Sequence, residues 1–309
     1  MSGIMAMLIG ASQGGIAPVN TVGPVITGTA TVGSTLSCST GTWTGTPTPT
    51  YTYQWQKGTT NISGATSSTY LVDILNSGST IRCVVTATNS AGSASANSAN
   101  TASVPVPSIG TATGGGYYAG QISTAGTGVA NFYLIIAPKA SGEGTNLRWK
   151  TNNSSTAGTS SLIDGPTNSA NMNNAAHPAA QFCEGLSIGG YTDWYMPATN
   201  ELEICYFNLK PTTQANNTLS GTNTNAVPSR GSSYTSGTPA RTSVAAFQST
   251  GAEAFASSGG QANYYWASTQ YTPQNPIANA WRTYFFSGYQ YGLEKNQGVR
   301  VRATRRVAV

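Results

Sequence analysis

Charge is what this sequence has least of. Only 7% of its 309 residues are charged, 14 lysines and arginines against nine aspartates and glutamates, and it holds a single histidine, His177. One histidine excludes a multi-histidine metal site within one chain. So few acidic side chains, scattered along the sequence, leave little for acid–base catalysis. The net charge of +5 comes from dispersed residues and a basic C-terminus, not from a polybasic arm, which argues against a nucleic-acid partner. The apolar opening, Met1 to Gly10, is far shorter than the ~20 residues of a membrane span and lacks the basic start of a secretory signal. No membrane span, metal or cofactor is expected.

What is abundant is Gly, Ser, Thr, Asn and Ala. That composition suits β-rich domains with many turns and disfavours a helical bundle. The length fits about two domains. Residues 1–15 read as an apolar anchoring arm, with Ile4, Met5, Met7, Leu8 and Ile9 packing on a partner in a larger assembly. A short strand tucked under the first domain is the alternative.

Residues 16–106 fall into short runs that alternate apolar and polar, such as Tyr51–Gln56 and Thr80–Ala87, as strands buried on one face do. Cys38, Trp55 and Cys83 have the order and spacing of an immunoglobulin-like β-sandwich. The stretch Thr86–Ala94 resembles the F–G hairpin of bacterial and phage immunoglobulin-like domains, although Ile81 stands where antibody-type domains often carry tyrosine. That resemblance implies Cys38 and Cys83 facing each other across the sheets, as a disulfide or as packed thiols, in a domain that acts as a spacer.

A proline-containing linker, residues 107–113, precedes a second domain at 114–309. Its organising stretch is Gly189–Glu203, a glycine corner running into a helix start. Asn200 with Glu203 has capping-box spacing, with Thr199 as an alternative cap. Two helices are expected, near Pro178–Leu186 and from Asn200 to Leu209. Residues 212–262 read as a long polar loop region, and three strands, Tyr264–Thr269, Ala280–Phe286 and Gly298–Thr304, close the chain. In the last, alternation places Val299 and Val301 inward and Arg300 and Arg302 outward. With Arg305 and Arg306 they read as a solvated stripe, the alternative being contact with an acidic polysaccharide or a neighbouring subunit.

Gly189-Gly190-Tyr191-Thr192-Asp193-Trp194-Tyr195-Met196-Pro197, then Asn200–Glu203, Tyr265–Thr269, Ala280-Trp281 and Val299–Arg302 together resemble one family over about residues 114–306. It is the domain at the C-terminus of bacterial collagen-like adhesins and of many phage virion proteins. The resemblance implies an α+β C-type-lectin-like fold, two helices on a small antiparallel sheet with a long loop region on one side. It also implies a distal, receptor-binding role. The chain lacks the Glu-Pro-Asn, Gln-Pro-Asp and Trp-Asn-Asp signatures of calcium-dependent lectins, so calcium-mediated sugar binding is not expected.

Candidate ligand-binding residues are Tyr271, Gln274 and Asn275 after the Trp266 strand, and Tyr289, Gln290 and Tyr291 in a turn before Glu294. Tyrosine with asparagine and glutamine is the composition of adaptable binding surfaces. Trp149, Trp194, Trp266 and Trp281 read as core. Glu201 and Glu203 point in different directions on a helix and suit helix-start electrostatics. His177 has no accompanying nucleophile motif. Cys183 and Cys205 lie on the two helices, as thiols or a disulfide. The expectation is a non-enzymatic phage virion protein, a tail-fibre or appendage adhesin that binds a host surface glycan or protein without covalent chemistry. Its other partners would be virion proteins and further copies of itself, a homotrimer suiting a fibre. The alternative is a capsid decoration or head-fibre protein whose arm docks on the shell.

Overall fold

The computed structural model describes residues 14–258, 260, 263–272 and 277–309. The arm residues Ile4, Met5, Met7, Leu8 and Ile9 and the loop residues Gln274 and Asn275 lie outside them. The chain is β-rich and divides into two compact units, the second comprising residues 73–75 and 107–309.

The first unit is all β. Its strands are β1 (Ile16–Val22), β2 (Ile26–Thr27), β3 (Thr35–Cys38), β4 (Thr42–Thr46), β5 (Thr50–Lys57), β6 (Thr60–Asn61), β7 (Thr69–Leu71), β8 (Ile81–Asn89) and β9 (Gly92–Asn97). They form a four-stranded sheet β6-β5-β8-β9, a three-stranded sheet β2-β3-β7 and the pair β1-β4. β8 shows why: Ile81, Cys83, Val85 and Ala87 alternate with less buried residues and all point inward. Trp55 sits directly opposite Cys83, stacks on Tyr70 at 5.6 Å, and donates its indole N–H to Ser67 O at 2.9 Å. Cys38 comes from the three-stranded sheet and Cys83 from the four-stranded one. Both are buried free thiols; Cys38 Sγ donates to Ser39 O at 3.3 Å and Cys83 Sγ to Val84 O at 3.8 Å. The neighbouring Cys38 thiol and burial together push the Cys83 thiol up.

The second unit begins earlier than the sequence implied, because part of the expected linker is a strand. Ala112–Thr113 (β10) pairs with Gly116–Ile122 (β11). With Phe132–Ile136 (β12) and Thr304–Ala308 (β18) they make a four-stranded sheet, β10-β11-β12-β18. Between these lie the short helix α1 (Lys139–Gly142), β13 (Glu143–Arg148), helices α2 (Gly165–Ala170), α3 (Pro178–Glu184) and α4 (Thr199–Leu209), and strands β14 (Tyr264–Gln270), β15 (Asn279–Tyr284), β16 (Tyr289–Glu294) and β17 (Gly298–Arg302). The second sheet runs β13-β17-β14-β15-β16, with β14 and β17 parallel.

α4 is the central element. It packs on β11, β14 and β15, and eight of its residues are buried, Glu201 and Glu203 among them. Leu202, Ile204, Cys205, Tyr206 and Leu209 meet Leu134 and Ile136 of one sheet and Tyr265 and Phe285 of the other in a single core. The helix does not start with the expected Asn200–Glu203 box. Its cap position is Ala198, whose N–H donates to Glu201 Oε2 at 2.8 Å. Glu203 is taken by another partner, described below. α2 and α3 pack on each other, α3 also reaches β13 and β17, and α2 reaches β14. Trp149, Trp194 and Trp266 are fully buried and Trp281 partly so. Cys183 and Cys205 are unbridged, each within its own helix packing, and burial pushes both thiols up.

Candidate functional site

The terminal arginines are not a solvated stripe. Arg302 is fully buried; it donates from Nε to Ala137 O at 2.9 Å and from Nη2 to Glu253 Oε2 at 2.5 Å. Arg300 reaches Glu143 at 2.7 Å, Arg305 grips both carboxylate oxygens of Asp193, and Arg306 reaches Glu201 at 2.6 Å. Alternation fails here because β17 passes directly into β18 of the other sheet, so neither face of the chain reaches open water at Arg302. Glu203 is held by Arg230, by Tyr234 Oη at 2.6 Å and by Asn223 Nδ2 at 2.6 Å. Burial pushes Glu201 and Glu203 up, against the pull of Arg306 and Arg230. In all, six of the nine acidic side chains lie within ion-pair distance of an arginine. Four of the six, Glu143, Glu201, Glu203 and Glu253, are engaged inside the fold, while Asp164 and Asp193 pair at its surface.

The polar groups near His177 are internal as well. Its ring lies between Thr156 Oγ1 and Asn174 Oδ1, both at 2.8 Å, edge-on to Trp149. Burial and the nearby Lys150 and Lys295 lower it to about 4. Lys295 is itself buried, with Nζ donating to Gln270 Oε1 at 2.6 Å, Ile277 O at 2.9 Å and Ser154 O at 3.0 Å. Among the described residues no three His, Cys, Asp or Glu side chains gather where a metal ion could sit, and no helix is long and apolar enough to cross a membrane.

A half-buried aromatic face lies on the outer part of the second sheet. Cross-strand partners share a face and side chains alternate along each strand. The register Tyr264↔Tyr284↔Tyr289 and Arg282↔Tyr291 therefore puts four tyrosines and Arg282 on one side of β14, β15 and β16. All five are half-buried. Tyr264 and Tyr284 stack at 4.4 Å with 19° between ring planes, and Tyr289 and Tyr291 stack at 5.8 Å with 11°. The Arg282 guanidinium lies over the Tyr264 ring at 3.8 Å. Its Nε and Nη1 are shielded from water and have no hydrogen-bond acceptor. Each such orphaned donor costs about 1–3 kcal/mol, and burial pushes Arg282 down.

The expected binding residues divide accordingly. Tyr289, Gln290 and Tyr291 are not in a turn but in β16, the edge strand; the turn is formed by Phe285, Phe286, Ser287 and Gly288. Tyr289 and Tyr291 face outward, while Gln290 points the other way and accepts from Gly221 N–H at 3.2 Å. Tyr271 is 4% exposed, packed edge-on against Trp281 at 4.6 Å and over Gly292, so it covers the sheet and offers no contact area. Tyr264, Arg282 and Tyr284 were missed. The period-2 reading that placed Arg300 and Arg302 would have aligned them had it been applied to the two preceding strands.

No curated protein matches the chain. The family model described as Lcl C-terminal domain matches residues 141–305, from α1 through to β18. The match starts later than the resemblance drawn from motifs and leaves β10, β11 and β12 outside it. It takes in the arginine–carboxylate pairs of Glu143, Asp193, Glu203 and Glu253 and the whole tyrosine face. By that match the chain belongs to the Lcl C-terminal domain family.

Proposed function

We propose that this chain is the adhesive component of a phage virion, holding a host surface molecule non-covalently through its second unit. The observation that carries the reading is the half-buried Tyr264–Arg282–Tyr284–Tyr289–Tyr291 face inside a Lcl C-terminal domain. Tyrosines bring large, rigid contact area that is cheap to order. The fold class assigned to this unit is C-type-lectin-like, supported by α2, α3 and α4 packed around a mixed sheet and by the long irregular stretch between α4 and β14. A fold does not fix a function, so the argument rests on the face itself.

The first unit is read as an immunoglobulin-like spacer, supported by Trp55 beside the Cys38–Cys83 contact. The apolar arm before it would dock on other virion proteins, and a homotrimer would suit a fibre. The work proposed is binding and not catalysis, supported by the engagement of most acidic side chains with arginines. Flow cytometry of the labelled full chain on host cells tests this. The double substitution Tyr289→Ala/Tyr291→Ala should lower cell-bound signal at least about tenfold, the effect of losing one or two aromatic anchors. Undiminished binding by a folded double variant would overturn the assignment of this face.

A further inference from the structure

We propose that the Arg282 face takes a carboxylate-bearing pyranose, a uronic acid or a related acidic sugar. The proposal rests on the adhesive reading of this face and names its ligand class. Three observations lead to it. First, Arg282 is unlike the arginines at 230, 300, 302, 305 and 306: each of those meets a carboxylate within the fold, whereas Nε and Nη1 of Arg282 have no acceptor. A guanidinium presents paired N–H groups along its edges at the spacing of a carboxylate's two oxygens. An incoming carboxylate seated on Nε–H and Nη2–H, or on Nη1–H and Nη2–H, would supply one of the two acceptors that the fold withholds.

Second, the guanidinium is framed by rings and not by other polar groups. Tyr264 lies under it, Tyr284 stacks on Tyr264, and the parallel Tyr289–Tyr291 pair stands on the neighbouring strand. Flat aromatic faces accept the C–H face of a sugar ring, and phenol hydroxyls at the rim can bond ring hydroxyls. Because Nε and Nη1 are shielded from water, the Tyr264 ring over the guanidinium has to move aside for the ligand to enter. Third, Arg282 is the one cation in the sequences of β14, β15 and β16, and β16 ends on Glu294. One positive charge suits one monoanionic sugar. A densely sulfated polymer would need several cations spread over the face.

Saturation-transfer NMR and ligand titration with the full chain test the proposal. The probes are methyl β-D-glucuronide, the neutral methyl β-D-glucoside, methyl glucoside 6-sulfate, and N-acetylglutamate as the same carboxylate on a peptide-like carrier. The glucuronide should bind, with the neutral and sulfated sugars and N-acetylglutamate each weaker by about tenfold or more, the worth of charge-assisted hydrogen bonds. Arg282→Lys, which keeps the charge and loses the fork, should weaken the glucuronide about tenfold; Arg282→Met should abolish its signal. Arg282 makes no ion pair in the fold and two of its donors are unpaired, so neither variant should lower the thermal transition, which is checked alongside.

Equal binding of glucuronide and glucoside would overturn the proposal. So would a preference for the sulfated sugar or for N-acetylglutamate, or unchanged glucuronide binding by Arg282→Met. Retained host-cell binding by Arg282→Met, with that binding still lost in the Tyr289/Tyr291 double variant, would overturn the acidic-sugar proposal and leave the adhesive reading standing. Loss of neither would remove both.

Discussion

Replacing Arg302 by methionine should be among the most damaging single changes available in the second unit. The side chain is fully buried, with Nε on Ala137 O, Nη1 on Glu253 O at 2.6 Å and Nη2 on Glu253 Oε2 at 2.5 Å. Its guanidinium also lies 4.9 Å from the Phe255 ring centroid. Glu253 Oε2 further accepts the Lys139 N–H at 2.7 Å, so one arginine ties the end of the long irregular stretch to β17 and to the start of α1. Methionine fills most of the volume but leaves a buried carboxylate without its cation and two carbonyls without donors. Breaking one side of a buried ion pair costs about 3–5 kcal/mol. For a unit of this size that lowers Tm by roughly 10 °C. Calorimetry of the wild type, Arg302→Met, Glu253→Gln and the double variant measures it as a cycle. The double variant should recover part of the loss, because the charge left behind is the main penalty. A single variant within about 2 °C of wild type, or strictly additive effects, would refute the claim that this pair holds the loop to the sheet.

Three further outcomes follow from the same packing. Because the His177 value of about 4 lies below the ordinary 6.5, the fold favours the neutral ring. The stability it contributes is full above about pH 6.5 and is lost as pH falls from there towards 4, by at most about 3 kcal/mol. Urea midpoints at pH 7.5 and 4.5 should therefore fall further for wild type than for His177→Gln; identical pH dependence would contradict the buried neutral ring. A Cβ on Gly165 would sit 2.1 Å from Glu201 Oε2 and 2.6 Å from the Tyr195 ring, so Gly165→Ala should destabilise by about 1–3 kcal/mol in denaturant titration. Cys183 and Cys205 should resist alkylation by iodoacetamide in the native chain and react on unfolding, since burial raises both thiols; rapid native labelling read by peptide mass would count against it.

Local pattern served the sequence reading well where one side of an element is covered. β8 alternates as written, and three of the four tryptophans of the second unit are fully buried. It served poorly where burial comes from both sides. Arg302 has the alternation of an outward residue, yet the passage of β17 into β18 encloses it; its partner Glu253 lies far back in a stretch that reads only as loop. Glu201 and Arg306, or Glu143 and Arg300, are likewise more than a hundred residues apart, so nothing local couples them. The scarcity of charge was the one available hint, since a charge retained in so neutral a chain has few roles besides an internal partner. The binding face was half legible. Tyr289 and Tyr291 were singled out by composition, but Tyr271 was misplaced because a tyrosine after a strand reads the same whether it projects or folds back over Gly292. Strand period could have aligned Arg282 with Tyr291, but its lack of an acceptor is a matter of three-dimensional packing that no sequence pattern shows.

The central claim is that this chain works as a virion adhesin, and its place on the particle tests that most directly. Purified virions would be labelled with an antibody against the second unit and viewed by electron microscopy. The account predicts label at the tail or its fibres. Label confined to the head would contradict it and make the chain a capsid decoration, and virions without label would remove the virion assignment altogether.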